Sequence, residues 1–215
     1  IASADEFNIR LHAALARCDF NSDNPYSVFT QYRPEYYLAQ KAAFEHKYRT
    51  LWAVAKVLQP KSIAELGCFA GAAAYAYLSA SPETVYRGYD LFPARKYEDG
   101  RADFHPLPHF RQAMSGNRWK THYHKVDLRS LTRIPRTEMV VIDAEHDYTN
   151  VVADLALALT ARPAYILADD YHGRDVQSAI DNFVHDSRVA WSVPLDYIGG
   201  GFVIAMKHGE RIGKK

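Results

Sequence analysis

Hydrophobic residues have two different spacings along the chain, and the position at which the spacing changes predicts the architecture. Within residues 1–60, apolar positions recur at helical intervals in residues 6–17 and 34–58, with a polar, loop-like stretch between them. From Ser62 onward, short apolar runs alternate with helical stretches. Strands that alternate with helices are typical of βαβ units, which build a mostly parallel sheet covered on both faces.

The apolar runs predict seven strands, and the last two flank three consecutive glycines. The predicted strands are residues 62–66, 84–89, 121–126, 139–142, 164–168, 189–193 and 202–206, and the helices between them are residues 72–80, 151–161 and 176–184. We therefore predict an α/β fold, namely a Rossmann-like, doubly wound sandwich. Its sheet should be mostly parallel with an antiparallel C-terminal strand, preceded by an N-terminal helical segment.

This pattern divides the chain into three parts. Residues 1–60 should form a helical cap or lid, residues 61–207 the α/β domain, and residues 208–215 a basic tail. The long stretch at residues 93–119, between the second and third strands, is interpreted as a loop that covers a ligand. We interpret the start at Ile1 as a processed or trimmed boundary.

The composition narrows the classes of partner. The chain has 48% hydrophobic and 24% charged residues with a net charge of +1, which is typical of a globular protein. Such a charge gives no basic field for nucleic acid or an anionic membrane, so we expect a small-molecule partner. Two cysteines, Cys18 and Cys68, exclude a disulfide framework and fit a cytoplasmic protein. No apolar run has the roughly 18 residues that would span a bilayer, so we expect solubility.

The near-zero net charge conceals an acidic segment. Residues 138–186 contain ten acidic and two basic residues, for a net charge of −8. Several of these carboxylates directly follow predicted strands, whereas we expect Asp154, Asp181 and Asp186 to lie on ordinary solvated helices. In open α/β sheets, ligands bind outside the carboxyl ends of the strands, so the strand-end carboxylates are candidates for a functional site.

A glycine motif at the end of the first strand points to a nucleotide-like ligand. The sequence Glu-Leu-Gly-Cys-Phe-Ala-Gly at residues 65–71 lets a strand turn sharply into a helix whose N-terminal N–H groups are free. Phe69 and Ala72 occupy two of the three glycine positions of the dinucleotide fingerprint, which disfavours a nicotinamide oxidoreductase. Asp90 ends the second strand, where a carboxylate can accept from a ribose diol. The alternative is a plain glycine turn and a capping aspartate.

Taken together, these features resemble the class I S-adenosylmethionine-dependent methyltransferases over about residues 60–207. The resemblance implies that Glu65, Gly67 and Gly71 line the methionine end of S-adenosylmethionine. It also implies that Asp90 binds the ribose hydroxyls and that Asp127 lies near the adenine, although a turn aspartate is an equally good interpretation of Asp127. The cofactor-binding residues that we expect are Glu65, Gly67, Phe69, Gly71, Asp90, Asp127 and Asp143.

Three carboxylates at neighbouring strand ends predict a metal site. Asp143 follows the fourth strand, and Asp169 and Asp170 follow the fifth. Carboxylates at one sheet edge repel each other and raise each other's pKa unless a cation neutralises them. A hard divalent cation such as Mg²⁺ suits these oxygen ligands. The alternative is that these aspartates cap helices or lie in solvated loops.

A narrower resemblance concerns the chemistry of this site. The chain is similar to metal-dependent O-methyltransferases that act on sugars of macrolide and aminocoumarin antibiotics. The matching residues are Asp143, His146, Tyr148, Asp154, Leu155, Asp169 and Asp170. In that group the catalytic base is a histidine or an acidic residue, so both His146 and Glu145 are candidates. We prefer His146, because an imidazole can take a proton at neutral pH; a structural histidine is the alternative.

The resemblance thus implies an O-methyltransferase of natural-product biosynthesis that uses S-adenosylmethionine and Mg²⁺ or another divalent cation. Its acceptor would be a hydroxyl of a small-molecule diol such as a sugar. The alternatives are a metal-independent methyltransferase and an inert cofactor-binding module. The aromatic residues of the N-terminal segment either form a lid over the site or simply cover the sheet: Tyr26, Phe29, Tyr32, Tyr36 and Tyr37. The sequence leaves open whether the chain forms a homo-oligomer.

Overall fold

A computed structural model of the chain describes residues 1–21, 34–94, 103–115 and 119–207. The helices in these ranges are α1 (Ala4–Ala16), α2 (Pro34–Ala39), α3 (Lys41–Leu58), α4 (Ala72–Ala80), α5 (Pro106–Met114), α6 (Tyr148–Thr160) and α7 (Arg174–Phe183). The strands are β1 (Ser62–Leu66), β2 (Val85–Asp90), β3 (Lys120–Lys125), β4 (Met139–Ile142), β5 (Tyr165–Asp169), β6 (Val189–Leu195) and β7 (Gly201–Met206).

The strands form one seven-stranded sheet in the order β3-β2-β1-β4-β5-β7-β6. Strands β1 to β5 run parallel to one another, and β7 runs antiparallel to both of its neighbours, β5 and β6. The central strands read as unbroken apolar runs because helices cover both faces; all four residues of β4 are buried. The predicted Rossmann-like sandwich with an antiparallel C-terminal strand is therefore confirmed.

Two hydrophobic layers hold the helices to the sheet. On one face α1, α3, α4 and α5 pack against the strands, with Leu51 and Tyr77 fully buried among them. On the other face α6 and α7 pack through Leu155 and Ile180. Burial of each such side chain contributes roughly 1.5–3 kcal/mol of hydrophobic free energy. In the described part of the chain, no helix is both long and apolar enough to cross a bilayer.

One helix and one loop predicted within the first 120 residues differ in detail from the structure. The predicted helix 34–58 is interrupted at Gln40, which separates α2 from α3. The stretch 93–119, predicted as a loop, contains α5, and the signal for it is Pro106 at the first helical position. The predicted tail 208–215 lies outside the described residues, as do three residues of the predicted aromatic lid, namely Tyr26, Phe29 and Tyr32.

Gly67 lets two turns of the sheet cross at close range. It directly follows β1 with a backbone φ of +84°, in the left-handed region that favours glycine. A Cβ atom on Gly67 would lie 2.2 Å from the carbonyl oxygen of Asp143 and 2.5 Å from the Cα of Ala144. The turn after β1 and the turn after β4 are therefore in contact only because residue 67 has no side chain.

We expect Gly67→Ala to destabilise the fold by at least about 2 kcal/mol, because the new methyl group meets backbone atoms and the φ is positive. Urea unfolding followed by circular dichroism would measure the change in free energy. Gly173→Ala is the matched control, since Gly173 has a φ of −67° and its Cβ would meet its nearest atom at 3.1 Å. Equal loss in the two variants would contradict the steric argument.

Candidate active site

The carboxyl ends of four parallel strands meet at one edge of the sheet. The residues at or directly after these ends are Gly67, Asp90, Asp143 and Asp169. Two cavities open at this edge, and they share Phe69, Asp143 and Ala144. A ligand that fills both cavities would therefore pass the ends of β1 and β4.

Residues that follow β2, β3 and β4 form most of the first cavity, whereas the second lies between the sheet edge and the N-terminal helices. The first cavity is lined by Gly67, Phe69, Asp90, Leu91, Pro93, Val126, Asp127, Leu128, Arg129, Asp143, Ala144, Glu145, Asn150 and Asp154. The second is lined by Tyr36, Tyr37, Phe44, Lys47, Tyr48, Glu65, Cys68, Phe69, Ala70, Ala72, Ala73, Asp143, Ala144, His146, Asp169, Asp170, Ile198 and Gly199.

Asp90 organises the glycine turn as well as lining the first cavity. One of its carboxylate oxygens accepts a hydrogen bond of 2.8 Å from the backbone N–H of Phe69, and the other accepts from the N–H of Phe92. Phe69 itself has a φ of +41°. The carboxylate thus holds the turn after β1 in an uncommon conformation while facing the cavity.

Asp127 has the capping role that the sequence left open as an alternative. Its carboxylate accepts a 3.0 Å hydrogen bond from the N–H of Arg129 at the start of a short 3₁₀ turn, Leu128–Ser130. Arg129 in turn donates to the side chain of Asn150 on α6 at 3.3 Å. Asp127 also lines the first cavity, so capping and ligand contact are both compatible with its position.

Asp154 corrects an expectation about the acidic segment. It was predicted to lie on a solvated helix face, but only 6% of it is exposed, and it lines the first cavity. Burial raises the pKa of its carboxyl to about 7, and the charge of Glu145 adds to the increase. The helical period of α6 places this residue on the sheet-facing side, one turn after Asn150.

Glu65 is the last-but-one residue of β1 and only 1% exposed. Tyr86 Oη donates a hydrogen bond to its carboxylate. Burial raises the pKa of Glu65 to about 8, and the charges of Asp143, Asp169 and Asp90 act in the same direction. At neutral pH this group is therefore mostly uncharged, and a cationic ligand nearby would favour its ionised form.

A buried ion pair, which sequence reasoning missed, occupies the wall of the second cavity. Lys47 of α3 lies 2.6 Å from a carboxylate oxygen of Asp169, and their side chains are only 12% and 2% exposed. Tyr197 Oη donates to the other oxygen of Asp169 at 3.0 Å, and so does the N–H of Asp170 at 2.9 Å. Burial opposes the charge on Lys47, but the neighbouring carboxylates outweigh it and raise the pKa of Lys47. Asp169 is thus already neutralised and hydrogen-bonded.

Among the described residues, possible ligand atoms of Asp143, His146 and Asp170 come together, all within 4.8 Å of one another. His146 Nε2 lies 3.1 Å from a carboxylate oxygen of Asp170 and 3.6 Å from one of Asp143. The nearby carboxylate of Asp143 raises the pKa of His146. Burial and the charge of Asp169 raise the pKa values of both carboxyl groups. This cluster differs from the predicted metal set in that His146 takes the place of Asp169.

The two aspartates after β5 separate because the backbone reverses between them. Asp170 has a φ of +53°, and its side chain contacts His146 rather than Lys47. The turn before β7 makes room for it: a Cβ on Gly199, whose φ is +84°, would lie 2.3 Å from Asp170 Oδ1. The run of three glycines in the sequence was the signal for this approach.

The other predicted site residues lie apart from this cluster. Glu145 is exposed and lines the first cavity, whereas His146 lines the second. Gly71 begins α4 with a φ of +84°, and a Cβ there would meet Phe110 at 2.9 Å. Tyr36 and Tyr37 line the second cavity, and Tyr37 packs against Phe44 with ring centroids 4.6 Å apart.

Removing the positive charge of Lys47 should lower the free energy of unfolding. We expect Lys47→Met to destabilise the protein by about 3–5 kcal/mol at neutral pH, because the carboxylate of Asp169 would stay buried without its counter-charge. The double variant Lys47→Met/Asp169→Asn should recover most of that loss, since an amide is uncharged and still accepts from Tyr197. Urea unfolding measures both variants.

Lys120→Met is the matched control, because Lys120 is 61% exposed and lies 3.5 Å from the exposed Glu83. We expect it to change the free energy of unfolding by less than about 1 kcal/mol. Equal stability of Lys47→Met and the double variant would contradict a buried, charge-paired Asp169.

Glu65 should make stability depend on pH in a defined direction. Its carboxyl binds a proton more tightly in the folded protein, where its pKa is about 8, than in the unfolded chain, where the pKa has its ordinary value of 4.5. The stabilisation that Glu65 gives the folded protein is therefore complete below about pH 4.5, and it is lost as the pH rises towards about 8. We expect the free energy of unfolding to fall between pH 5 and 8, and to fall less steeply in Glu65→Gln. Urea titrations at several pH values measure this, and parallel profiles for the two proteins would refute the assignment.

No family model matches the chain, and neither does any curated protein sequence. Solved structures do match. The methyltransferase PaMTH1 from Podospora anserina, bound to S-adenosylhomocysteine, has a TM-score of 0.57 at 13% identity, covering 97% of this chain and 98% of that chain. The O-methyltransferase TomG from Streptomyces achromogenes, involved in tomaymycin synthesis and in complex with S-adenosylmethionine, has a TM-score of 0.54 at 15% identity, covering 76% of this chain and 80% of that one.

A third similar structure is the O-methyltransferase from Bacillus cereus in complex with S-adenosylhomocysteine. Its TM-score is 0.53 at 15% identity, and the match covers 75% of this chain and 80% of that one. At such identities the likeness concerns the path of the backbone and not the side chains of the site. The chain therefore has the Rossmann-like fold of the S-adenosylmethionine-dependent methyltransferases.

Proposed function

We propose that this protein is an S-adenosylmethionine-dependent O-methyltransferase acting on a small-molecule diol. The observation that carries the proposal is the pair of cavities that meet at Phe69, Asp143 and Ala144. Methyl transfer needs two ligands whose reacting atoms face each other, and joined cavities at the strand ends suit such a pair. The matched folds include structures bound to S-adenosylmethionine or S-adenosylhomocysteine, which supports the choice of donor.

The first cavity would hold the nucleoside of the donor. Asp90 lines it at the end of β2, where its carboxylate can accept from ribose hydroxyls. The methionine part would extend past the turn after β1 towards Glu65. Its ammonium group and the sulfonium are cationic, so the ionised form of Glu65 and the nearby aspartates would stabilise them.

The second cavity would hold the acceptor. Tyr36, Tyr37 and Phe44 give it an aromatic wall, which suits the apolar face of a sugar or of a natural-product ring. These residues come from the N-terminal segment, which on this proposal would act as a cap over the acceptor. With a net charge of +1, the chain offers little general attraction to nucleic acid or anionic membranes, so we propose a small-molecule acceptor.

His146 would take the proton from the acceptor hydroxyl. In the transfer, the oxygen forms a bond to the methyl carbon, the carbon–sulfur bond breaks with its electrons on sulfur, and the proton goes to the base. His146 lines the acceptor cavity and is held by both Asp143 and Asp170, which fix the ring. We prefer it to Glu145, whose side chain lines the other cavity.

A divalent cation fits the same cluster. Asp143 and Asp170 offer carboxylate oxygens, the ligands that Mg²⁺ prefers. Burial and then the charge of Asp169 raise the pKa values of both groups, and a bound cation would favour their ionised forms. When bound, the cation would lower the pKa of an acceptor hydroxyl. Asp169, predicted as a third ligand, would instead support the site through Lys47 and Tyr197.

The ion pair with Lys47 also favours a second candidate function, a metal-independent methyltransferase. In that case Lys47 would supply the neutralising charge at the strand ends, and His146 would act between two carboxylates without a metal. The two candidates differ in their response to chelation, and an inert cofactor-binding module differs from both in lacking turnover.

We expect the wild-type protein to transfer a methyl group from S-adenosylmethionine to members of a panel of sugar and natural-product diols. A chelator should abolish turnover, and Mg²⁺ should restore it. Asp170→Asn should lower turnover by about 100-fold or more while the dissociation constant for S-adenosylhomocysteine stays within a few-fold, because Asp170 lines the acceptor cavity only. Product analysis by mass spectrometry and calorimetric titration measure the two quantities.

The outcomes separate the candidates. Full turnover in excess chelator would overturn the metal requirement and favour the metal-independent enzyme. Binding of S-adenosylhomocysteine without turnover on any diol would favour the inert module. Failure to bind S-adenosylhomocysteine at all would overturn the methyltransferase proposal. Asp175→Asn, an exposed residue in the first turn of α7, is the control that should leave binding and turnover unchanged.

A further inference from the structure

Three aromatic side chains of the N-terminal helices meet at one corner of the second cavity. Tyr36 and Tyr37 belong to α2 and Phe44 belongs to α3, and all three line the cavity. The rings of Tyr36 and Tyr37 are nearly perpendicular, with an interplanar angle of 83° and centroids 5.2 Å apart. The ring centroid of Phe44 lies 6.1 Å from that of Tyr36 and 4.6 Å from that of Tyr37. We call these three residues the aromatic corner.

The tyrosines of the aromatic corner keep accessible ring surface. Tyr36 is 43% exposed and Tyr37 is half-buried, whereas Tyr77, an aromatic residue of the core, is fully buried. Tyrosines that served only to cover the sheet would lose this surface to the strands beneath them. Their exposure beside a cavity therefore favours contact with a ligand.

The charged groups that line the same cavity are mostly acidic. The carboxyl groups in its lining belong to Glu65, Asp143, Asp169 and Asp170. Among the described lining residues, Lys47 is the one lysine or arginine, and it is already paired with Asp169 at 2.6 Å. A carboxylate or phosphate on the acceptor would therefore meet like charges without a free lysine or arginine to bind it, which is unfavourable.

The aromatic corner lies close to this acidic part of the cavity. Phe44 and Lys47 are three residues apart on α3, so their side chains share one face of the helix within about 4.5 Å along its axis. Lys47 in turn contacts Asp169 at the end of β5. One small acceptor could therefore reach both the strand ends and the aromatic corner.

A cationic nitrogen suits both of these features. The face of an aromatic ring attracts an ammonium group that lies within about 6 Å of the ring centroid, and more strongly where water is excluded. Two nearly perpendicular rings can offer a face and an edge, or two faces, to one such group. The nearby carboxylates add a longer-range attraction for positive charge.

We propose that the acceptor carries a protonated or methylated amino group that binds at the aromatic corner, so that its class is an amino-substituted diol such as an amino sugar. This inference rests on the proposed function and deepens it by stating the charge of the acceptor. Acidic acceptors are disfavoured by the carboxylates of the cavity. Because the amino group binds apart from Asp143, His146 and Asp170, the inference holds with or without a divalent cation at that cluster.

Two sets of matched diols test the preference for positive charge. One set consists of methyl glucosides that end in an aminomethyl, a methyl or a carboxylate group, and the other of dopamine, propylcatechol and dihydroxyphenylpropionate. Calorimetric titration of the protein with S-adenosylhomocysteine and Mg²⁺ present measures the dissociation constants. We expect the cationic member of a set to bind about 5- to 30-fold more tightly than the neutral member. The anionic member should bind at least about 10-fold more weakly than the neutral one.

Substitutions in the aromatic corner locate the preference. Tyr36→Leu and Tyr37→Leu keep apolar bulk but remove an aromatic face, so the ratio between cationic and neutral members should fall to within about 3-fold. Affinity for the neutral member should change by less than about 3-fold. Tyr36→Phe keeps the ring and should retain most of the preference. Leu38→Ala is the matched control, because Leu38 lies on the same helix, is 61% exposed and is outside the cavity lining.

The outcomes distinguish failure of the inference from failure of the proposed function. Equal binding of the cationic and neutral members, or tightest binding of the anionic member, would overturn the inference and leave the diol methyltransferase intact. Equal loss of both ligands in the leucine variants would show that the aromatic corner supplies apolar contact only, which also overturns the inference. If S-adenosylhomocysteine or every diol fails to bind, the proposed function fails and the inference with it.

Discussion

The buried ion pair between Lys47 and Asp169 is the contact on which the geometry of the site depends. It joins α3, a helix of the N-terminal segment, to the end of β5 in the middle of the sheet. Since Asp169 is also bound by Tyr197 and by the N–H of Asp170, its carboxylate cannot bind a ligand in the second cavity directly without giving up some of these three partners. The charge available for a ligand or a metal is therefore that of Asp143 and Asp170, with His146 between them.

The same edge of the sheet combines two electrostatic situations. Around Asp169, opposite charges are matched and excluded from water, which stabilises the fold. Around Glu65, Asp143 and Asp154, burial and then neighbouring negative charge raise the pKa values of the carboxyl groups. Groups that are held in an unfavourable state by the fold are typical of functional sites, because ligand binding can relieve them. At this edge of the sheet, the charge-paired Asp169 therefore stabilises the fold, whereas Glu65, Asp143 and Asp154 are available to bind a ligand.

The sequence predicted the sheet well because each strand is a short apolar run with a clear end. Strand β4 was predicted to the residue, and the strand-end positions of Asp90 and Asp143 followed from it. The sequence could not show that Asp169 and Asp170 point to different partners, because the reversal at Asp170 depends on the left-handed backbone there and on the space left by Gly199. Nor could it show Lys47, which lies 122 positions from its partner. Asp154 was misjudged because one aspartate in a helical pattern gives no sign of which face it occupies.

The residues that line the second cavity are spread along the chain from Tyr36 to Gly199, and the last of them lie just before β7. Strand β7 pairs antiparallel with β5, so the loop that carries Tyr197 and Gly199 is fixed only when that late pairing forms. During synthesis, strands β1 to β5 would emerge from the ribosome before this loop does. Until then Asp169 would lack its tyrosine, and a nascent chain could complete its central sheet while the second cavity still lacked one wall.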